Sequence, residues 1–258
     1  SALVANTTGA FNTAVGALAG DAITTGSSNT MLGFNTGGAT TTASQNVAVG
    51  QSALATNTTG ATNTAVGAEA LAANTTGANN VAIGALALDA NTTASNNVAV
   101  GYGTLGVNTT GTSNTALGHQ ALEKNTTASN NTAVGTDALF KNTTGDVNTA
   151  VGQGALAANT TASDNTAVGR QALGANITGA SNVAVGNNAL DANTTGSANV
   201  ALGYQALTTD TKGSRSVAVG FSALRFQANT SAVETYNVAV GHAAGEAVTT
   251  GVKNTLIG

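Results

Sequence analysis

Polar and apolar positions repeat along the chain with a fixed interval. The five-residue unit Asn-(Thr/Val)-Ala-(Val/Ile/Leu)-Gly begins at Asn12 and recurs at Asn29, Asn46, Asn63 and onward to Asn199, then at Ser216, Asn237 and Asn254. There are fifteen copies, with occasional substitutions such as Met31, and every step is 17 residues except the 21 from Ser216 to Asn237. The full unit reads N-T-A-V-G-x-x-A-L-x-x-N-T-T-G-x-x. Nothing separates the repeats, so residues 1–258 read as one repeat domain with an irregular longer coil at 216–236.

A 17-residue unit is too short for a helical pair, which needs about 30 residues or more. Within it, Thr/Val and Val/Ile/Leu sit two apart, which is strand spacing. Both positions hold β-formers that are stiff at χ1. The glycine closing the unit (Gly16, Gly33, Gly50 and on to Gly258) suits a turn or a close backbone approach. A second turn is predicted at N-T-T-(G/A), as at Asn74–Gly77. The unit therefore reads as strand, turn, second strand, turn. That is one coil of an all-β, parallel β-solenoid with about fifteen 17-residue coils. Stacked at ~4.8 Å, such coils would build a rod on the order of 70 Å long.

The columns predict faces. Val15, Leu32, Val49 and their successors form one apolar stack, and Leu54, Leu71, Leu88 through Leu224 form another. These two stacks are expected to meet inside the coil. The residue between the strand's two β-formers would then point outward, and it is Ala in thirteen of the fifteen copies. An outer face normally varies and carries charge. The Ala column accordingly reads either as a seam for another chain or as a device that keeps a crowded turn small.

Composition narrows the class further. Charged residues make up 7% and aromatics 3%, with no Trp, Pro or Cys, while Gly reaches 33. Large side chains are too few to fill a globular core of this length. Without Cys there is no disulfide framework and no thiolate metal site. The balance of 7 Lys+Arg against 11 Asp+Glu gives a net charge of −4, a poor footprint for nucleic acid or anionic lipid. No apolar stretch approaches the ~20 residues of a membrane span. The chain opens at Ser1 rather than Met, as a processed chain or a fragment would. Its ends fall almost in register with each other, and uncapped solenoid ends present strand edges to a further copy, so head-to-tail stacking into a filament is a second expectation.

The motif N-T-A-V-G-x-x-A-L-x-x-N-T-T-G resembles the repeats of trimeric autotransporter adhesin heads and related phage tail-fibre-like proteins. In those heads a comparable N-S-V-A-I-G unit builds a left-handed parallel β-roll, and three chains pack side by side. The resemblance covers essentially the whole chain. It implies a left-handed, trimeric, extracellular rod used for attachment or fibre building, partnered by its own copies and by a surface or glycan receptor.

Several local patterns bear on chemistry. Gly101-Tyr102-Gly103-Thr104-Leu105-Gly106 matches G-x-G-x-x-G, a motif that needs a strand before it and a helix after it to bind a dinucleotide, but Gly101 and Leu105 are simply the repeat glycine and leucine. His119 and His242 both follow a repeat glycine, seven coils apart, so they cannot share a metal or a triad. The carboxylates show no stacked column, and no catalytic, cofactor or metal site is read. Asn57, Asn74, Asn91, Asn108, Asn125, Asn142, Asn159, Asn176 and Asn193 recur in register, and with Asn6, Asn130 and Asn229 make twelve N-x-(S/T) sequons. They read as glycan acceptors along one edge or, more simply, as an asparagine ladder between coils. Regular Thr columns also raise ice binding, although adjacent Thr75 and Thr76 point to opposite faces and leave one column per face. The 21-residue coil holds Phe221, Phe226 and Tyr236, candidates for a contact loop. An enzyme is not expected. A structural rod is.

Overall fold

The computed structural model describes residues Ser1–Gly258 and contains strands, turns and bends but no helix. Its contacts divide the chain into two compact units, Ser1–Ser129 and Asn130–Gly258. Each is a parallel β-solenoid.

In the first unit each coil supplies one three-residue strand: β1 (Thr13–Val15), β2 (Thr30–Leu32), β3 (Val47–Val49), β4 (Thr64–Val66), β5 (Val81–Ile83), β6 (Val98–Val100) and β7 (Thr115–Leu117). Neighbours in the chain pair in parallel, and each residue meets its counterpart 17 positions on, as Thr64 meets Val81 and Ala65 meets Ala82. The repeat period is thus the register itself.

The second unit continues the pattern with β8 (Thr132–Val134), β9 (Thr149–Val151), β10 (Thr166–Val168), β11 (Val183–Val185) and β12 (Val200–Leu202). It then adds a two-residue strand, β13 (Gly213–Ser214), before β14 (Val217–Val219). A second short strand, β15 (Val233–Glu234), precedes β16 (Val238–Val240) and β17 (Thr255–Ile257). Three of the four extra residues of the long coil are absorbed between β14 and β15, and the fourth between β15 and β16. Val217 still meets Val238, and β15 pairs with β13.

Within the strand, inside and outside are the reverse of the sequence expectation, while the Leu stack lies inside as expected. Ala48, Ala65, Ala82 and Ala99 are fully buried, as are Leu54, Leu71 and Leu88, so the core is an Ala column together with a Leu column. The strand's flanking residues face out, and Val15, Leu32, Ile83 and Leu117 all count among the exposed large side chains. Volume gives the physical reason. Interiors pack to near-crystal density, and a coil this narrow has room for a methyl opposite a leucine but not for two β-branched residues. The Ala column is core, not seam.

The second strand expected between the closing glycine and the N-T-T turn is absent from the regular coils. That limb is a run of turns held by bonds such as Leu71 N to Ala87 O at 3.0 Å, and left-handed residues within it, such as Glu69 at φ 59°, interrupt any longer pairing. Leu54 and Leu71 themselves sit at φ 53° and 51°. This conformation costs a residue with a Cβ on the order of 1–2 kcal/mol, offset here by complete burial of the side chain. The repeat glycine is required by proximity. At Gly67, φ is +137°, and an added Cβ would lie 2.5 Å from the carbonyl oxygen of Gly84 on the next coil.

Candidate functional site

The N-T-T asparagines point into the coil. Asn57, Asn74, Asn91, Asn108 and Asn125 are fully buried in the first unit, and Asn142, Asn159, Asn176 and Asn193 in the second. Asn74 is typical: its Nδ2 donates to Asn57 Oδ1 at 2.8 Å and to the Gly77 carbonyl at 3.0 Å. Asn159, Asn176 and Asn193 do the same in their unit. Both amide hydrogens are consumed. Among the other sequons, Asn229 is buried with its Nδ2 donating to Asp210, whereas Asn6 and Asn130 are exposed.

A second ladder runs beside the first and escaped the sequence reading. The asparagine that opens the repeat is buried too from Asn29 to Asn199, and its Oδ1 accepts the backbone N–H of the next coil's opening residue. Asn46 N donates to Asn29 Oδ1 at 3.0 Å, and Asn63 N to Asn46 Oδ1 at 2.9 Å. Its Nδ2 reaches the second turn, as from Asn63 to the Gly77 carbonyl at 2.8 Å. The signal was present, since this asparagine recurs as regularly as the glycine.

In the long coil both ladders change residue. Asp210 stands in the N-T-T column and is fully buried; it accepts from Gly213 N at 3.0 Å, Asn229 N at 3.1 Å and Gln227 Nε2. Ser216 replaces the opening asparagine, and Gln227 bridges the two columns, donating to Ser216 Oγ at 3.0 Å and accepting from Asn237 Nδ2 at 2.7 Å.

The three aromatics of this coil have separate settings. Phe221 follows its repeat glycine and stacks between Tyr204 and His242, with ring centroids 5.2 Å away on either side. Phe226 lies under the Arg225 guanidinium at 5.0 Å. Tyr236 lies beneath Arg215 at 5.8 Å and donates its hydroxyl to Glu234 Oε2 at 2.7 Å. That bond and the Arg215 ion pair hold the Glu234 carboxyl below its usual range, and the same bond pushes the Tyr236 phenol up against the opposing effect of Arg215. In the first unit His119 stacks on Tyr102 at 5.7 Å.

All four carboxylates of the first unit (Asp21, Glu69, Asp89 and Glu123) fall on one turn edge, at the second or fifth position after the repeat glycine. Gly103 and Gly106 leave a gap on this edge, and the resulting notch of about 190 Å3 is lined by Leu86, Asp89, Tyr102, Gln120 and Glu123 among others. Partial burial raises the Asp89 pKa, opposed by bonds from backbone N–H groups and aided by Glu69 and Glu123. The second unit has a comparable notch of about 440 Å3 between Asp137 and Asp191, floored by Gly154 and Gly174. The G-x-G-x-x-G glycines thus clear a surface notch.

No family model, curated protein or solved structure matches the chain. The fold places it in the class of β-solenoid repeat proteins.

Proposed function

We propose that this chain is a non-catalytic structural repeat segment of an extracellular adhesin, fibre or filament, and that it assembles as a homotrimer. The observation that supports assembly is the outer face of the sheet. Its two columns, Thr13, Thr30, Val47 and Val15, Leu32, Val49 with their successors, contain no charged residue in any of the fifteen copies. A sheet face exposed to water normally alternates to polar residues, and an extended apolar surface marks a place of contact. Copies of the same chain repeat the same 17-residue spacing, so two such faces match along their length. The side-chain ladders between coils supply stiffness. The turn edge bearing Asp89 and Glu123 varies from coil to coil, and we assign receptor contact to it.

Light scattering at two protein concentrations tests this reading. A mass near 74 kDa at both, three times the 24.7 kDa of one chain, is expected. Leu32→Lys combined with Ile83→Lys should return it to the monomer while circular dichroism stays unchanged. A wild-type mass of 24.7 kDa at both concentrations sinks the trimer and favours a single-chain solenoid with an ice- or glycan-binding face. Growth with concentration into larger species points instead to head-to-tail filaments.

A further inference from the structure

Twelve sequons in 258 residues would make this chain a heavy substrate for N-glycosylation, yet the fold has already used most of the acceptor nitrogens. In that reaction the asparagine Nδ2 attacks C1 of a sugar carried on a polyprenyl pyrophosphate. The C1–N bond forms, the C1–O bond to pyrophosphate breaks, the pyrophosphate leaves with the electron pair, and Nδ2 loses one proton. A single N–H remains.

The ladder asparagines cannot function with one. Asn91 Nδ2 donates to Asn74 Oδ1 at 2.9 Å and to the Ala94 carbonyl at 3.1 Å, and Asn108 Nδ2 donates to Asn91 Oδ1 at 3.2 Å and to the Gly111 carbonyl at 3.0 Å. Each side chain is at 0% exposure, so a sugar on Nδ2 would lie inside the coil between Leu and Asn columns. Asn229 is 6% exposed and its amide is bound to Asp210. Asn6 and Asn130 differ. Both are exposed, and Asn130 sits on a turn corner at φ 61°, a conformation asparagine tolerates well.

We infer that the folded chain accepts an N-linked glycan only at Asn6 and Asn130, and that modification at any of the other ten sequons blocks folding. Transfer to these sequons generally precedes folding, so burial does not shield the ladder from the enzyme. Synthesis where no oligosaccharyltransferase reaches the chain follows from this. The inference goes beyond the structural role proposed above and holds whether or not the chain trimerises.

The test uses the full chain behind a secretory leader in a eukaryotic host, compared with the same chain made in bacterial cytosol. Peptide mass spectrometry maps glycan occupancy in the soluble, protease-resistant fraction and in the insoluble fraction. The soluble fraction is expected to carry glycan at Asn6 or Asn130 alone, with occupied ladder sequons confined to the insoluble material. A second variant separates glycosylation from other causes of misfolding. The last hydroxyl residue of each of these ten sequons is exposed, so replacing Thr59, Thr76, Thr93, Thr110, Thr127, Thr144, Thr161, Thr178, Thr195 and Ser231 with Ala abolishes all ten and leaves every asparagine in place. It should raise the soluble secreted yield several-fold. Three results would overturn the inference: soluble, protease-resistant chain glycosylated at Asn74, Asn91 or Asn108; soluble chain bare at both Asn6 and Asn130; or no rescue by this variant.

Discussion

Asn91 Nδ2 donates to Asn74 Oδ1 at 2.9 Å, and Asn74 Nδ2 donates in turn to Asn57 Oδ1 at 2.8 Å. From Asn74 to Asn125 in the first unit and from Asn159 to Asn193 in the second, each amide nitrogen therefore reaches the oxygen of the preceding coil. The arrangement is the side-chain counterpart of the strand ladder beside it, and it couples the same coils. A chain with few large side chains stabilises its coil stack by satisfying buried polar groups as well as by burying Ala and Leu.

Replacing one rung should show how much rests on it. Asn91→Ala leaves the Asn74 oxygen without its donor and one Asn108 N–H without its acceptor, while the Ala94 carbonyl keeps the Asn80 amide and Asn108 keeps the Gly111 carbonyl. Buried unsatisfied groups cost about 1–3 kcal/mol each, so urea unfolding should report a loss of roughly 2 kcal/mol or more. Asn91→Asp should be worse, because it adds a buried charge beside the Asn74 oxygen. A loss below about 0.5 kcal/mol for Asn91→Ala, the usual range for surface substitutions, would mean that the ladder is ornamental.

Size discriminates the two faces of the strand. Ala65→Val adds two methyl groups to a fully buried position, and overpacking of that kind costs about 1–3 kcal/mol. At the next residue, Val66→Thr exchanges one β-branched side chain for another on the outer face, where Thr already occupies many coils in the neighbouring column. Denaturation of the isolated chain should show a marked loss for the first and a change within about 0.5 kcal/mol for the second. The opposite ranking would restore the inside-out arrangement.

That pair also marks where sequence patterning stops being informative. The period of 17, the closing glycine and the N-T-T asparagines recur so strictly that coil, register and turns could be read from them. The orientation of T-A-V could not, because alternation separates faces only when one is polar, and here Ala and Val are both apolar. Packing volume decides, and volume is a property of the closed coil. The acidic edge was hidden for a related reason: Glu69, Asp89 and Glu123 occupy two columns, so no single column shows the cluster. The opening asparagine was legible as a repeat, but its role as an acceptor for a backbone N–H one coil away was not.

Asp89 makes stability depend on pH with a definite sign. Burial raises its pKa above the ordinary carboxylate value, with Glu69 and Glu123 adding to the effect, so the folded chain holds this proton more tightly than the unfolded one. The contribution to stability is full below the ordinary value and is lost as pH rises through the raised one. Asp89→Asn should therefore raise the melting temperature near pH 7 and leave it nearly unchanged near pH 3. Equal shifts at both pH values would trace the effect to something other than ionisation.

Asp210 ends the ladder of the second unit at a cost that can be measured. Asn193 Oδ1 is buried and has no hydrogen-bond partner, because the next residue in its column carries a carboxylate where the ladder carries an amide. Asp210→Asn would offer Asn193 the missing donor. It would also turn an amide toward Gln227 Nε2 and Asn229 Nδ2, both of which now donate to the Asp210 carboxylate. Two lost acceptors outweigh one gained donor, and hydrogen bonds to charged groups are the stronger kind, about 1.5–3 kcal/mol against about 1 for neutral ones. The variant should unfold at lower urea, by about 1–3 kcal/mol. The Gln227 bridge to Ser216 and Asn237 should loosen with it, giving faster amide hydrogen exchange at Ser216 and Asn237 than in the regular coils. A stabilised variant with unchanged exchange would mean that the orphaned Asn193 oxygen, rather than the Asp210 network, dominates the energetics of the long coil.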